Sequence, residues 1–244
     1  MIYLDCEVFI KSVFDKAELT RSSTLFMSKS LSLIIIFIFS FIFFLLSCFG
    51  LFDGLSESVA KSQYNALGYT NKWSRSYGPP WFVGMINDIS SLGSRELILI
   101  ISTFMYFYLR LTKGKSDAGK FIFTVGFGII LILVTKSITS NHAEINFSTI
   151  LTESLSNFPS GHTFIATVMY LAMARYLSTH RKYEPVNKFL FVSAAIIIFL
   201  VGISRFVGSG HTITEVIAGW SLGLCWYTFA QMILIVDHRT IFNK

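Results

Sequence analysis

Six apolar runs separated by polar stretches organise the chain: Leu31 to Phe52, Leu97 to Leu111, Phe121 to Thr135, Thr163 to Leu177, Phe189 to Ile203 and Ile213 to Val236. They predict an all-α chain. A helix that crosses a bilayer needs roughly 20 apolar residues. The first and last runs have that length. The middle four, at about 15 residues, would on length alone suit buried helices of a soluble protein. Their number, their spacing and the charges in the loops between them favour membrane spans. The prediction is a polytopic membrane protein with six transmembrane helices in one bundle.

Composition agrees. Hydrophobic residues make up 53% of the 244 and charged residues only 14%, and the mean hydropathy is +0.61. A soluble domain rarely runs so apolar. The formal charge of +6 would point a soluble protein toward nucleic acid. Here the basic residues fall in short loops between apolar runs, so they read as topology signals and no nucleic-acid partner is expected. With the N-terminus placed in the cytosol, 14 of the 20 lysines and arginines fall inside and six outside. That bias predicts cytosolic termini. Cys6, Cys48 and Cys225 show neither metal-ligand spacing nor a disulfide framework.

The chain divides into a cytosolic N-terminal segment at 1–30, a membrane domain at 31–236 with an external loop at 53–94, and a cytosolic tail at 237–244. Acidic residues interrupt the N-terminal segment, which excludes a signal peptide. A short interfacial helix and a plain tail both remain open there. The external loop carries Tyr64, Tyr69, Trp73, Tyr77 and Trp81, with Pro79-Pro80 expected to break any helix. Aromatics of this kind often rest at membrane interfaces, and both a surface anchor and a lid over a lipid substrate stay open for this loop.

Two polar motifs interrupt the apolar pattern. The first is Pro159-Ser160-Gly161-His162. The second is Ser204-Arg205, then five residues, His211, three residues and Glu215. On the charge map Lys136 ends run three, His162 opens run four, Arg205 closes run five and His211 opens run six, all on the outer side. The short middle runs are expected to continue as helix into these residues. That would sink a polar site to lipid headgroup depth, where irregular backbone is tolerated if it lines a protein cavity.

The residue types suit phosphate chemistry. Spacing of four puts His211 and Glu215 on one helix face. A carboxylate on one imidazole nitrogen fixes the tautomer and leaves the other nitrogen to attack. Ser160-Gly161 at a helix start offers backbone N–H groups to phosphate oxygens. His162 is a candidate general acid for the leaving oxygen. Arg205 supplies a planar fork of donors and Lys136 a point charge.

These residues resemble the type 2 phosphatidic acid phosphatase superfamily, which shares its site with vanadium haloperoxidases. Pro159 to His162 match its second motif in full. Ser204, Arg205 and His211 match its third, with Glu215 where aspartate is usual. The first motif is lysine, six residues, Arg-Pro. Lys136 fits, but Ala143 and Glu144 stand where Arg-Pro belongs. Asp88 to Ser94 also resembles a segment found before the second span in bacterial members. The likeness covers roughly residues 75 to 236.

The resemblance implies a membrane lipid phosphatase that needs no metal or other cofactor. It makes His211 the phosphorylated nucleophile, His162 the leaving-group acid and Glu215 the orienter. Lys136, Ser160, Gly161 and Arg205 would bind phosphate. The substrate is expected to be undecaprenyl diphosphate, phosphatidylglycerol phosphate, phosphatidic acid or lipid A, in a bacterial inner membrane with a periplasmic site. A phosphotransferase with the same site, or a degenerate lipid-binding protein, are the alternatives. Asn141, His142, Arg75 and Arg95 are candidates to stand in for the missing arginine.

Overall fold

The computed structural model describes residues 30–55, 57–59, 79–139, 158–178, 184–208 and 211–242, with side chains as far as 234. Seven longer helices run through them: α1 (Ser30–Cys48), α2 (Pro80–Ser91), α3 (Arg95–Thr112), α4 (Lys115–Thr139), α5 (Gly161–Leu177), α6 (Glu184–Val207) and α7 (Ile213–Phe242). Each predicted apolar run lies on one of them, save that the first runs on past α1 into a turn at 49–52. The helices from the middle of the chain outrun their apolar cores. Lys136 sits in the last turn of α4 and Arg205 in the last turn of α6.

The six expected spans are not all met on length. Among the described residues, four helices are long and apolar enough to cross a membrane alone: α1, α4, α6 and the first 22 residues of α7. A fifth crossing is available if α2 and α3, bent by 43° at their junction, count as one span. Helix α5 has only 17 residues, at the lower edge of what a span needs.

Helix α2 departs from the sequence reading. Pro79-Pro80 does not prevent a helix but starts one. Pro79 is the extended N-cap, and Pro80 takes the first helical position, where its missing N–H is no loss. The break before α3 is built from three successive turn bonds, from Leu92 N to Ile89 O, Gly93 N to Ser90 O and Ser94 N to Ser91 O. Ser94 then caps α3, its hydroxyl accepting from Leu97 N at 3.3 Å. At the other end, Gly114 takes a positive φ of 99°. Its N–H reaches Leu109 O at 2.9 Å, closing α3 so that α4 can start at the next residue.

Helix α5 is the centre of the bundle and touches α3, α4, α6 and α7. It is buried around most of its circumference, which explains why it shows little amphipathic pattern. Helix α7 grips it through small residues. A side chain at Gly219 would lie 2.7 Å from Ser160 O, and one at Gly223 would lie 2.8 Å from Thr167 Cβ. Apolar solvent gives no hydrophobic force between helices, so close backbone approach through small residues drives their packing. Two indoles of α7 hold the flanks in the same manner. Trp220 lies against Gly202 of α6 and donates to Ile198 O at 3.2 Å. Trp226 lies against Gly128 of α4 and donates to Thr124 O at 2.7 Å.

The outer surface is apolar. Leu31, Ile35 and Phe39 of α1, Leu99, Phe104 and Phe107 of α3, and Phe189, Val192 and Ile196 of α6 are all exposed. Soluble monomers rarely expose apolar patches beyond a few hundred Å². With serines and threonines buried in the middle and apolar side chains outside, the chain is an integral membrane protein.

Candidate active site

The third motif closes on itself at the start of α7. Thr212 is the N-cap of that helix, and Glu215 is three residues on. Glu215 N donates to Thr212 Oγ1 at 3.3 Å, and Thr212 N donates to Glu215 Oε2 at 3.0 Å. This reciprocal capping box needs the reach of Glu or Gln at the third position. The same carboxylate oxygen lies 2.8 Å from His211 Nδ1. One side chain therefore caps the helix and orients the histidine. That double duty gives a physical account of glutamate where aspartate was expected. Both groups are well shielded, with 6% of the His211 side chain and 17% of the Glu215 side chain exposed. Contact with Nδ1 leaves Nε2 as the ring nitrogen available for bonding.

Backbone bonds tie this unit to its neighbours. His211 N donates to Arg205 O at 3.1 Å, closing the turn between α6 and α7. Ser160 N donates to Glu215 O at 3.0 Å, which fastens the second motif to the third. Residues far apart in the chain are thus held by two groups with no rotatable side chain between them.

The start of α5 is unusual. Ser160 is its N-cap, yet the Ser160 hydroxyl makes no capping bond to a backbone N–H. That hydroxyl is fully buried and accepts from Thr163 Oγ1 at 2.8 Å. Gly161 follows, and a side chain added there would sit 3.2 Å from Lys136 Cε and 3.5 Å from its Nζ. The absence of a Cβ lets the lysine lie directly across the first turn. An ammonium group and a helix N-terminus side by side favour an anion.

Arg205 comes in from α6, and its Nη1 donates to Ser90 Oγ of α2 at 3.1 Å. The elbow after Ser90 packs on the second motif. A side chain at Gly93 would meet His162 O at 3.0 Å and His162 Cβ at 3.3 Å. Tyr170 of α5 donates to Leu92 O at 2.9 Å and pins that elbow. At the opposite flank, Thr214 donates to Asp53 Oδ1 at 2.8 Å, which brings the chain after α1 to the start of α7.

All seven residues singled out from sequence therefore fall at one end of the bundle. Lys136 meets Gly161, Ser160 meets Glu215, Glu215 meets His211 and His211 joins Arg205. His162 belongs to the same turn of α5 and backs onto the Gly93 elbow. Of the candidate substitutes for the missing arginine, Asn141, His142 and Arg75 lie outside the described residues. Arg95 opens α3, one residue beyond the Ser94 cap.

Sequence reading missed Thr212, Ser90 and the Gly219–Gly223 pair. Two carried a signal. Thr212 with Glu215 has the Thr-x-x-Glu spacing of a capping box. Gly219 and Gly223 are four apart in an apolar run, the pattern of close helix contact. Ser90 carried none beyond the Asp88–Ser94 likeness, because its partner is 115 residues away.

Comparison with known proteins gives the family of the chain. Residues 117–235 match the PAP2 superfamily model. Phosphatidylglycerophosphatase B of Bacillus subtilis is 31% identical over 150 residues, spanning 59% of this chain and 71% of that protein. A PA-phosphatase related-family protein of Dictyostelium discoideum is 36% identical over 80 residues, or 31% of this chain and 22% of its own length. In overall shape the chain is similar to the crystal structure of a transmembrane PAP2 type phosphatidylglycerolphosphate phosphatase from Bacillus subtilis. The TM-score is 0.64 at 23% identity, covering 82% of this chain and 94% of that one.

Proposed function

Because the chain belongs to the PAP2 superfamily, we propose that it is a membrane lipid phosphatase that works through a phosphohistidine. The observation that carries this is the 2.8 Å contact of His211 Nδ1 with Glu215, in a unit bonded through Glu215 O to Ser160 N. His211 Nε2 attacks phosphorus, and a nitrogen–phosphorus bond forms as the bond to the lipid oxygen breaks. His162 gives that oxygen its proton. Water then attacks the phosphorus, His162 takes a proton from it, and free phosphate leaves with His211 restored. Glu215 stabilises the positive imidazole ring in between. Lys136, Arg205 and the Ser160–Gly161 backbone balance the charge that spreads over the phosphoryl oxygens, where fixed donors are most effective.

The membrane placement has six crossings, with α2–α3 as one bent span and α5 as a short central one. The termini lie in the cytosol and the site faces outward in a bacterial inner membrane. The lysine and arginine distribution supports this orientation. Ser148→Cys should be labelled by a membrane-impermeant thiol reagent in intact cells. Labelling only after permeabilisation reverses the map.

Phosphate release from purified protein over a panel of lipid phosphates tests the activity itself. The panel holds phosphatidylglycerol phosphate, phosphatidic acid, undecaprenyl diphosphate and lipid A. The name of the Bacillus subtilis relative puts phosphatidylglycerol phosphate first. Release is expected without any acceptor lipid, whereas release only with an acceptor present identifies a phosphotransferase. Brief exposure to labelled substrate should leave acid-labile phosphate on the intact chain and none on His211→Ala. Loss of His162 should cost about 10²–10⁴-fold on lipids, the usual worth of a general acid, and less on aryl phosphates with good leaving groups. No turnover of any lipid would leave the non-catalytic lipid-binding reading standing.

A further inference from the structure

The opposite end of the bundle holds a polar cavity. It has a volume of about 190 Å³, and its walls include Lys113, Asp117, Lys120, Arg175, Tyr176 and Gln231. Helices α4, α5 and α7 each pass from the candidate site to this cavity. Lys136 and Lys120, Gly161 and Tyr176, and Glu215 and Gln231 are 15 or 16 residues apart along them. At 1.5 Å per residue, all three place it about 24 Å from the site. The cavity therefore has no part in the chemistry proposed there.

Its chemistry is that of an anion site. Among the described residues, three cations face one carboxylate. The Lys113 ammonium donates to Tyr176 O at 2.6 Å and to Ser178 O at 3.1 Å. It thereby neutralises the negative C-terminal end of α5, which would otherwise repel an anion. Lys120 and Arg175 remain on the wall as a point charge and a planar donor fork, the pair of shapes that phosphate oxygens accept.

A separate observation comes from α7. Gln231 is only 5% exposed, and its Nε2 has no hydrogen-bond partner among the described residues. The Tyr176 hydroxyl adjoins the same amide. The Tyr176 hydroxyl can accept from only one of the two amide N–H groups, and a buried donor left without an acceptor is unfavourable. Topology signals explain lysines and arginines at a membrane edge, but they do not explain a buried glutamine amide on the wall between them. An acceptor that binds Gln231, Lys120 and Arg175 together accounts for all three.

We propose that this cavity is a second phosphate site, which takes the phosphate group of an anionic lipid headgroup or free inorganic phosphate. The volume exceeds what one bound water needs, about 10–15 Å³, and a tetrahedral oxyanion meets donors from α4, α5 and α7 at once. An excess of two positive charges disfavours a metal cation. The assignment is independent of the phosphatase reading and stands or falls alone.

The test uses the full chain in micelles and a hydrolysis-resistant phosphonate analogue of dioctanoyl phosphatidate. Native mass spectrometry counts bound analogue, and calorimetry measures Kd for the analogue and for inorganic phosphate. Two molecules of analogue should bind the intact chain. The double substitution Lys120→Gln with Arg175→Gln should remove one of them, or weaken it at least ten-fold, while lipid hydrolysis and Tm stay unchanged. Arg205→Ala should remove the other. Should the double variant fold poorly, Gln231→Glu puts a carboxylate of the same shape in the wall and should weaken binding just as much. Competition by inorganic phosphate at this site assigns the free ion, and binding of the analogue alone assigns the headgroup. A single bound analogue that only Arg205→Ala removes, or two that survive both cavity variants with unchanged Kd, overturns the proposal.

Discussion

Helices α1 and α5 are both strongly apolar, yet they occupy opposite positions. Helix α1 has the highest mean hydropathy of the candidate spans, 2.9, and only 11% of its most apolar window is buried. Its aromatic contacts include Phe37 with Phe229 and Phe44 with Phe158. Helix α5 is shorter and carries threonines and alanines where α1 carries isoleucine and phenylalanine, and it is enclosed by four other helices. Apolarity draws both into the bilayer. It does not decide which becomes the core, because lipid solvates isoleucine as well as a neighbouring helix does. Small residues and buried hydroxyls decide that by allowing close approach. The consequence for function is direct: the helix at the centre begins with the phosphate-facing turn, and its packing against α7 sets where that turn lies.

If this contrast is right, substitutions along the α5–α7 seam should matter far more than larger changes on α1. Gly219→Val should have the greatest effect. Its Cβ would fall 2.7 Å from Ser160 O, a backbone atom that cannot move aside without shifting the second motif. Overpacking should cost about 1–3 kcal/mol of stability. A displacement of the site by about 1 Å should lower turnover roughly 10²-fold. Thermal denaturation and lipid hydrolysis measured together check both. Normal activity in Gly219→Val would mean that the seam does not position the site.

Glu215 sharpens the comparison at the end of the same seam. Gln keeps an acceptor for the capping box but removes the charge opposite His211. A hydrogen bond to a charged group contributes about 1.5–3 kcal/mol, so Glu215→Gln should lose roughly ten- to a hundred-fold in kcat. Glu215→Asp keeps the charge with a shorter reach and should retain part of the activity. Equal rates for Gln and wild type would reduce Glu215 to a helix cap.

Ser90 tests the seam from outside it. Its hydroxyl takes one Arg205 donor at 3.1 Å, and the loss of such a bond is worth about 1 kcal/mol. Ser90→Ala should therefore lower kcat/KM roughly three- to ten-fold, with Tm almost unmoved. The smallest effect belongs to α1. Phe39 is 65% exposed, and Phe39→Ala should change stability by no more than about 0.5 kcal/mol and leave hydrolysis unaltered. A large loss there would show that α1 is part of the working core.

Much of the molecule was legible along the chain. Every apolar run became helix over all or most of its length, because apolar composition over enough length leaves the backbone no other way to satisfy its hydrogen bonds in lipid. The two motifs could be placed at helix ends from the positions of the runs alone, and the spacing of four brought His211 and Glu215 together. Those are local properties, set within a turn or two of the residues that carry them. Helix α2 was hidden because a prolyl pair reads as a break, whereas proline at the first position of a helix is harmless.

What only the tertiary structure decided is which distant groups meet. The bond from Ser160 N to Glu215 O, the contact of Arg205 with Ser90, the lysine lying across Gly161 and the polar cavity around Gln231 all join residues of different helices. Apolar solvent rewards many arrangements of apolar helices almost equally, so their pairing rests on the fit of glycine against backbone and indole against glycine. That fit depends on the three-dimensional course of several helices at once, and no periodicity along a single helix encodes it.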